Sequence, residues 1–308
     1  MISLSGPAVF FSWRASRIAN LSVFLDVDIA WRPLWVALEG RGSIVVWGKR
    51  AQARYARKVS DRLGMPLYTI EDGFVRSVGR NNNLLSLVVD DLGIYFDAAH
   101  PSRFEAFVLQ ELSPSEELRS WTLVKLWRSS RISKYNDALE LKVIFPGSYV
   151  LVCDQTFGDA SISYGLASSD SFPLMLQAAL TENPNHTIVL KTHPDVITRG
   201  KKGHFDLRSL ASNERIQIIS DPIHPSKLIE HADAVYTVTS QMGFEALIWG
   251  KPVRCFGMPF YAGWGLTEDE LPAPESRKPI TLEQLVHAAL VEYPRYIDPV
   301  TLSALSLR

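Results

Sequence analysis

Two carboxylates, Asp154 and Asp159, share one short stretch, DQTFGDAS, directly after the apolar run 149–153 (YVLVC). Open α/β sheets bind ligands beyond the carboxyl ends of their strands, so polar residues at such ends are the first candidates for chemistry. A carboxylate placed there can act as base or as nucleophile. The competing reading of Asp159 is a helix cap or an Asx turn. The run 187–191 (TIVLK) ends in Lys191-Thr192-His193-Pro194-Asp195. Residues two apart in a strand share a face, so Lys191 and His193 form a pair of donors suited to phosphate or carboxylate. The plain alternative is a surface lysine and a satisfied histidine. The run 234–238 (AVYTV) leads into Thr239-Ser240-Gln241-Met242-Gly243-Phe244-Glu245. Ser240 reads as an N-cap followed by free amides at a helix start, a ready site for an anion. Gly243 permits close backbone approach, and Glu245, one turn in, is within reach of a ribose hydroxyl. An ordinary capped helix has the same pattern. Earlier in the chain, Glu71-Asp72-Gly73-Phe74-Val75-Arg76 follows the run 67–70 (LYTI). Its acids and Arg76 either face a ligand cleft or make a polar turn, because Asp-Gly is a common turn dipeptide.

Other chemistries find little support. Asp26-Val27-Asp28 has the DxD pattern of some metal-dependent sugar transferases, but it precedes the regular α/β pattern and has no His or Glu partner nearby. It reads as a loop or strand start, and no metal site is expected. HExxH, GxxxxGK[ST] and GxSxG are absent. The Gly/aromatic loop 256–266 (FGMPFYAGWGL) either clamps a sugar by aromatic stacking or locks two domains together. Cys153 and Cys255 lie in strand-like apolar runs with no CxxC or Cys/His cluster, and read as reduced core thiols of a cytosolic protein.

The elements that must position these residues alternate. Residues 7–13 read as a strand and 14–25 as a short helix. Then 43–47 (SIVVW), 49–63 and 67–70 form a strand–helix–strand unit. Residues 84–97 (LLSLVVDDLGIYFD) read as a hairpin turning at Asp91-Leu92-Gly93. Residues 102–142 are mostly helical, with breaks near Pro114 and Ser133. Beyond Pro146-Gly147, strands at 149–153, 187–191, 215–219, 234–238 and 252–256 alternate with helices at 171–182, 225–231, 241–249 and 281–291. Such alternation predicts parallel sheets covered by helices. The expected fold class is therefore α/β, two Rossmann-like domains facing a cleft as in GT-B glycosyltransferases. The expected domains are 1–146, on the acceptor side, and 147–308, nucleotide-binding with a C-terminal crossover tail.

The 308 residues, 46% of them apolar, suffice for two buried cores and exclude a disordered chain. With 32 Lys and Arg against 33 Asp and Glu the net charge is −1, which argues against a nucleic-acid-coating protein. No run of 18 apolar residues occurs, and the N-terminus lacks the basic-then-apolar order of a signal peptide. The expected location is cytoplasmic. Lys49, Arg50, Arg54, Arg57 and Lys58 on one predicted helix allow peripheral contact with anionic lipid, although a solvated helix face has the same composition.

Six collinear segments carry a family resemblance: EDGFVRSVG (71–79), LSLVVDDLGIYFDA (85–98), DQTFGDASISYG (154–165), LKTHPDV (190–196), VTSQMGFEALIWGKPVRCFGMPFYAGWGLT (238–267) and RYIDP (295–299). Together they resemble the bacterial capsular polysaccharide β-Kdo transferases, enzymes that build the Kdo linker of lipid-anchored capsules in Gram-negative bacteria. The resemblance spans roughly residues 40–300. More distantly, the acidic-acidic-Gly, His-Pro and Ser motifs look like those of bacterial sialyltransferases.

The resemblance implies CMP-β-Kdo as donor, a Kdo-primed glycolipid as acceptor, no metal or other cofactor, and retention of configuration by double displacement. By motif position the nucleophile is Asp159. His193, Ser240 and Gln241 would hold the CMP phosphate and Glu245 the nucleotide, with Gln155, Lys191 and Gly243 in the same site. Glu71, Asp72, Gly73 and Arg76 would line the acceptor side or orient the sugar, and Arg76 or Lys191 would pair with the Kdo carboxylate. The implied location is cytoplasmic and peripheral on the inner membrane, with capsule assembly proteins as further partners. Family members commonly carry two such modules, and this chain is most similar to the N-terminal one. Two alternatives remain: a transferase for another CMP-activated ulosonic acid, and a non-catalytic capsule assembly or export factor. The second has no use for a nucleophile beside a phosphate site.

Overall fold

The computed structural model describes residues 2–12, 15–31, 42–49, 51–78, 84–140, 147–192, 200 and 202–305. The chain is α/β and forms two compact units. The first comprises Met1–Tyr95, His100–Gln110 and His287–Arg308, the second Phe96–Ala99 and Glu111–Val286.

In the first unit, Ile29–Trp31, Ala8–Phe10, Ser43–Trp47 and Leu67–Asp72 run parallel, side by side in that order. The helix Ala51–Leu63 connects the last two strands, as the strand–helix–strand pattern predicts. The core-facing residues Ala8, Phe10, Val45, Ile70, Leu87 and Val89 are almost wholly buried and form one cluster. Ser86–Asp90 joins Leu67–Asp72 antiparallel, and Pro294–Ile297 joins Ser86–Asp90 antiparallel in turn.

The hairpin expected over 84–97 does not form. Asp90 ends the strand and its carboxylate gathers the chain that follows. Oδ1 accepts the Leu92 and Gly93 N–H groups, each at 2.8 Å, and Oδ2 accepts the Arg103 N–H at 2.9 Å and the Tyr293 hydroxyl at 2.8 Å. No strand follows before the helix Arg103–Val108. The C-terminal strand Pro294–Ile297 pairs beside Ser86–Asp90, where the second hairpin arm was expected.

The second unit holds an all-parallel sheet in the spatial order Ile216–Ile219, Thr187–Lys191, Tyr149–Cys153, Ala234–Thr237, Val253–Cys255, Glu268–Asp269. Its central strand YVLVC is buried at all five positions, which is why it reads as a continuous apolar run. The helix Ser171–Glu182 buries Phe172, Met175, Leu176 and Ala179, the i, i+3, i+4, i+7 stripe of a helix packed on a sheet. Cys153 and Cys255 are free and buried, and burial raises both thiols, Cys153 to about 12.

A single boundary near Pro146-Gly147 does not describe these units. The helix Pro114–Ser129 and the residues after it pack within the second unit. Arg128 Nε donates to the Ile248 carbonyl at 2.6 Å, the Trp127 ring meets Phe244 edge-on, and Arg131 pairs with Glu230 at 2.9 Å. Conversely, residues after His287 return to the first unit, where Arg295 donates to the Phe24 carbonyl at 2.7 Å. Among the described residues no helix is long and apolar enough to cross a membrane.

Asp90 is 1% exposed and serves four donors. Asp90→Ala leaves three main-chain N–H groups and a tyrosine hydroxyl without their acceptor. It should cost about 3 kcal/mol or more, since each buried donor left unpaired costs on the order of 1–3 kcal/mol. Urea unfolding measures this as a lower midpoint, with Asp90→Asn intermediate.

Candidate active site

The second unit's strands, counted within the unit, lie in the order third, second, first, fourth, fifth, sixth. The direction of winding therefore reverses between Tyr149–Cys153 and Ala234–Thr237. Such a switch point opens a crevice at the carboxyl ends, the general ligand site of doubly wound sheets. The residues that follow these two strands are Asp154–Asp159 and Val238–Gln241.

Hydrogen bonds join the two loops. Gln155 Oε1 accepts the Thr239 main-chain N–H at 2.9 Å, and Gln155 Nε2 donates to Thr239 Oγ1 at 3.0 Å. The Ser161 hydroxyl lies 3.0 Å from Thr239 Oγ1 and donates to Asp159 Oδ1 at 2.9 Å. Gln155 and Thr239 are buried. Asp159 caps the helix Ala160–Tyr164, with Oδ1 also accepting the Ser161 N–H at 2.9 Å. Both donors fall on Oδ1, and no described residue donates to Oδ2. Asp159 is an exposed residue at the switch point. The cap thus uses one oxygen of the side chain and leaves the other without a donor among the described residues.

The other carboxylate of this stretch turns inward. Asp154 is buried, its Oδ1 accepts the N–H groups of Gln155 at 2.8 Å and His204 at 3.1 Å, and burial raises its pKa to about 6. His204 itself stacks on Phe172, rings 3.7 Å apart and nearly parallel. Burial lowers its pKa from 6.5, opposed by its bond to the Thr156 main chain and by the charge of Asp159.

Several predicted residues sit differently from expectation. Lys191 is 4% exposed, and its ammonium donates to the carbonyls of Thr192 at 2.8 Å and Asp221 at 3.2 Å, so two of its three donors serve the main chain. Burial lowers its pKa to about 8. His193 lies outside the described residues. The amides expected to be free after Ser240 are largely engaged. The Ser240 N–H donates to Thr237 Oγ1, the Met242 N–H to Ser240 Oγ and the Gly243 N–H to the Ser240 carbonyl. A Cβ on Gly243 would stand 2.3 Å from the Tyr261 hydroxyl, so the close approach that needs glycine is that of a tyrosine. Glu245 is 1% exposed, with Oε1 accepting Ser133 Oγ at 3.0 Å and the Lys134 N–H at 3.1 Å; as found it anchors residues 133–134 and presents nothing to a ribose. The loop 256–266 is no sugar clamp, because Phe260, Tyr261 and Trp264 are buried and Arg277 holds the Pro259 and Ala262 carbonyls at 2.7 Å each.

In the first unit, Glu71 Oε1 accepts Trp47 Nε1 at 2.8 Å, and Arg76 Nε pairs with Asp72 Oδ2 at 3.1 Å. Gly73 is required, since a Cβ there would stand 2.1 Å from Ser86 Oγ. These residues form the polar end of the strand Leu67–Asp72. Sequence reasoning missed Ser161, Thr239 and His204. Ser161 was legible as the second residue after a candidate cap, whereas His204 carries no local signal.

Fold and site define a two-unit Rossmann-type α/β protein with one solvent-facing carboxylate at the switch point of its second unit. The sequence matches the family described as capsule polysaccharide biosynthesis protein over residues 42–125 and 114–296, and the chain belongs to that family. It is 41% identical over 286 residues to the capsule polysaccharide modification protein LipA of Neisseria meningitidis serogroup A, covering 87% of this chain and 40% of that protein. It is 36% identical to the lipopolysaccharide-processing protein LpsZ of Rhizobium meliloti, covering 82% of this chain and 59% of that protein. The chain thus spans roughly two fifths to three fifths of the length of these relatives. Among solved structures it resembles Thermosulfurimonas dismutans KpsC, beta Kdo 2,4 transferase, with TM-score 0.89, 39% identity, and coverage of 98% of this chain and 95% of that one. It resembles the KpsC beta Kdo 2,7 transferase of the same organism with TM-score 0.74, 30% identity and the same coverage.

Burial raises the Glu245 pKa from its ordinary 4.5 to about 7. Between these values the folded protein keeps a proton that the unfolded chain releases, so stability falls as pH rises through that window. Asp154, raised from 3.8 to about 6, acts in the same direction. Glu245→Gln should flatten the fall between about pH 4.5 and 7 and raise Tm at pH 8 by a few degrees, measured by thermal melts across pH.

Proposed function

We propose that this chain is a retaining β-Kdo glycosyltransferase that moves Kdo from CMP-β-Kdo to a Kdo-primed glycolipid in capsule linker synthesis. The observation that carries the reading is the exposed Asp159 carboxylate, with Oδ1 held by Ser161 and Oδ2 without a donor among the described residues, at the switch point of the second unit. Membership of the capsule family and the likeness to two beta Kdo transferases support it. The stronger likeness to the 2,4 enzyme favours a 2,4 linkage.

In this reading Asp159 Oδ2 attacks the anomeric carbon of the donor sugar as the bond to the phosphate oxygen breaks. The bonding pair leaves with CMP, and the sugar becomes esterified to Asp159. An acceptor hydroxyl then attacks the same carbon from the side opposite the ester, the carboxylate departs, and the hydroxyl proton passes to a base or to solvent. Two inversions give net retention. The transition states are oxocarbenium-like, and a fixed carboxylate stabilises them as well as trapping them. Ser161 keeps Oδ1 occupied, which fixes the rotamer and aims Oδ2. His193, Ser240 and Gln241 are the residues assigned to the leaving phosphate, and Glu71, Asp72 and Arg76 to the acceptor side. No metal is required, because the leaving group is a phosphomonoester monoanion or dianion that donors of the chain can stabilise. The chain would work in the cytoplasm, peripheral to the inner membrane.

Intact-protein mass spectrometry after mixing with CMP-Kdo, without acceptor, should find one added Kdo on the wild-type chain and none on Asp159→Asn. Transfer by Asp159→Asn should fall by about three orders of magnitude or more, as for loss of other enzymic nucleophiles, with CMP binding retained. Undiminished transfer by Asp159→Asn would falsify the nucleophile role.

A further inference from the structure

The loop that ends on Asp159 also displays an aromatic ring beside a cation. The Asp159 N–H donates to the Thr156 carbonyl at 3.1 Å, and Gly158 between them has φ 79°, the geometry of a type II turn with Phe157 at its second position. A Cβ on Gly158 would meet nothing within 4 Å, so the turn opens on free space. Phe157 stands at the tip, 54% exposed. Its ring is not left loose. The Phe157 N–H donates to the Lys202 carbonyl at 2.7 Å, and the His204 ring lies 5.4 Å away, tilted by 37°. His204 in turn stacks flat on the buried Phe172 at 3.7 Å. A column of rings thus rises from the core, Phe172 to His204 to Phe157. The Lys202 ammonium lies 5.4 Å from the Phe157 centroid, and Lys202 is exposed.

An exposed aromatic face stacks on the C–H face of a pyranose, and a cation at its rim pairs with a carboxylate. The two cations first expected to take a sugar carboxylate are engaged otherwise: Lys191 on main-chain carbonyls and Arg76 on Asp72. Among the described residues no carboxylate pairs with Lys202.

We propose that Phe157 and Lys202 form the subsite for the carboxylate-bearing ring of an acidic keto-sugar donor, and that Lys202 is the cation that distinguishes such a donor from a neutral one. The proposal deepens the transferase reading and rests on it. The ring positions the sugar over the turn that carries Asp159, and the ammonium fixes which way round the sugar lies.

Steady-state kinetics of the full chain with CMP-Kdo, together with titration by CMP alone, test this. Lys202→Met should raise the donor KM about tenfold, the size expected for one partly exposed charge-assisted contact, while leaving CMP affinity and the thermal melt unchanged. Lys202→Arg should restore most of the loss, and Phe157→Ala should raise the donor KM severalfold with CMP affinity again unchanged. A donor KM unaffected by Lys202→Met overturns the subsite, and so does a parallel loss of CMP affinity, which would assign Lys202 to the phosphate. If the wild-type chain neither turns over CMP-Kdo nor binds it more tightly than CMP, the transferase reading itself falls and takes the subsite with it.

Discussion

The paired hydrogen bonds between Gln155 and Thr239 are the constraint on which the site depends. They join the ends of two strands whose connections diverge, at the place where a doubly wound sheet would otherwise splay. Gln155 is the right residue for the task, because its amide offers an acceptor to the Thr239 N–H and a donor to the Thr239 hydroxyl at once. Thr239 then passes the constraint to Ser161, and Ser161 to Asp159. Buried polar chains of this kind are costly unless every member is satisfied. Here each link is made, so the exposed carboxylate at the end is held by the core of the unit instead of by its own short helix. Gly165 and Gly257 pack against the Thr239 methyl, where a Cβ would come within 2.6 and 2.9 Å, so Thr239 has little room to turn away.

Burial separates the ionisable groups into two kinds. Asp154, Lys191 and Glu245 lie at strand ends or in the first turn of a helix, as catalytic groups do, and all have shifted pKa values. Yet each is engaged within the protein: Asp154 with two main-chain N–H groups, Lys191 with two carbonyls, and Glu245, through Oε1, with the Ser133 hydroxyl and the Lys134 N–H. A perturbed pKa marks a functional site only when the group can also reach a ligand. Each fixes the chain segment it bonds, and the two acids do so at a cost in stability that grows with pH.

The strands of the second unit were legible because buried parallel strands are continuous apolar runs, and 149–153, 187–191 and 234–238 are of that kind. With the strands came their polar ends, and hence Asp159. The hairpin over 84–97 was misread because Asp-Leu-Gly is a turn signal whatever follows it. Only the long-range bond from Tyr293, two hundred residues away in the chain, shows that Asp90 serves as an anchor. The boundary near Pro146-Gly147 failed for a related reason. A local turn signal cannot report that Arg128 reaches the Ile248 carbonyl, or that the chain after His287 returns to the first unit. The aromatic loop 256–266 was ambiguous because composition does not say whether rings face a ligand or a core, and here Arg277 and Tyr261 fasten it inward.

Asp159 is a helix cap, and the cap does not conflict with the nucleophile role proposed for it. Capping requires one carboxylate oxygen in a defined place, which is also what aiming the other oxygen requires. A nucleophile free to rotate would lose most of the advantage of being near its target, since the gain from proximity comes from freedom already surrendered. The five-residue helix Ala160–Tyr164 is too short to be stable alone, so the Asp159 cap helps to hold it while the Ser161 link holds the cap. Folding and chemistry therefore ask the same thing of this side chain. A residue whose type and position suit a routine structural task is therefore compatible with the reactive role proposed for it.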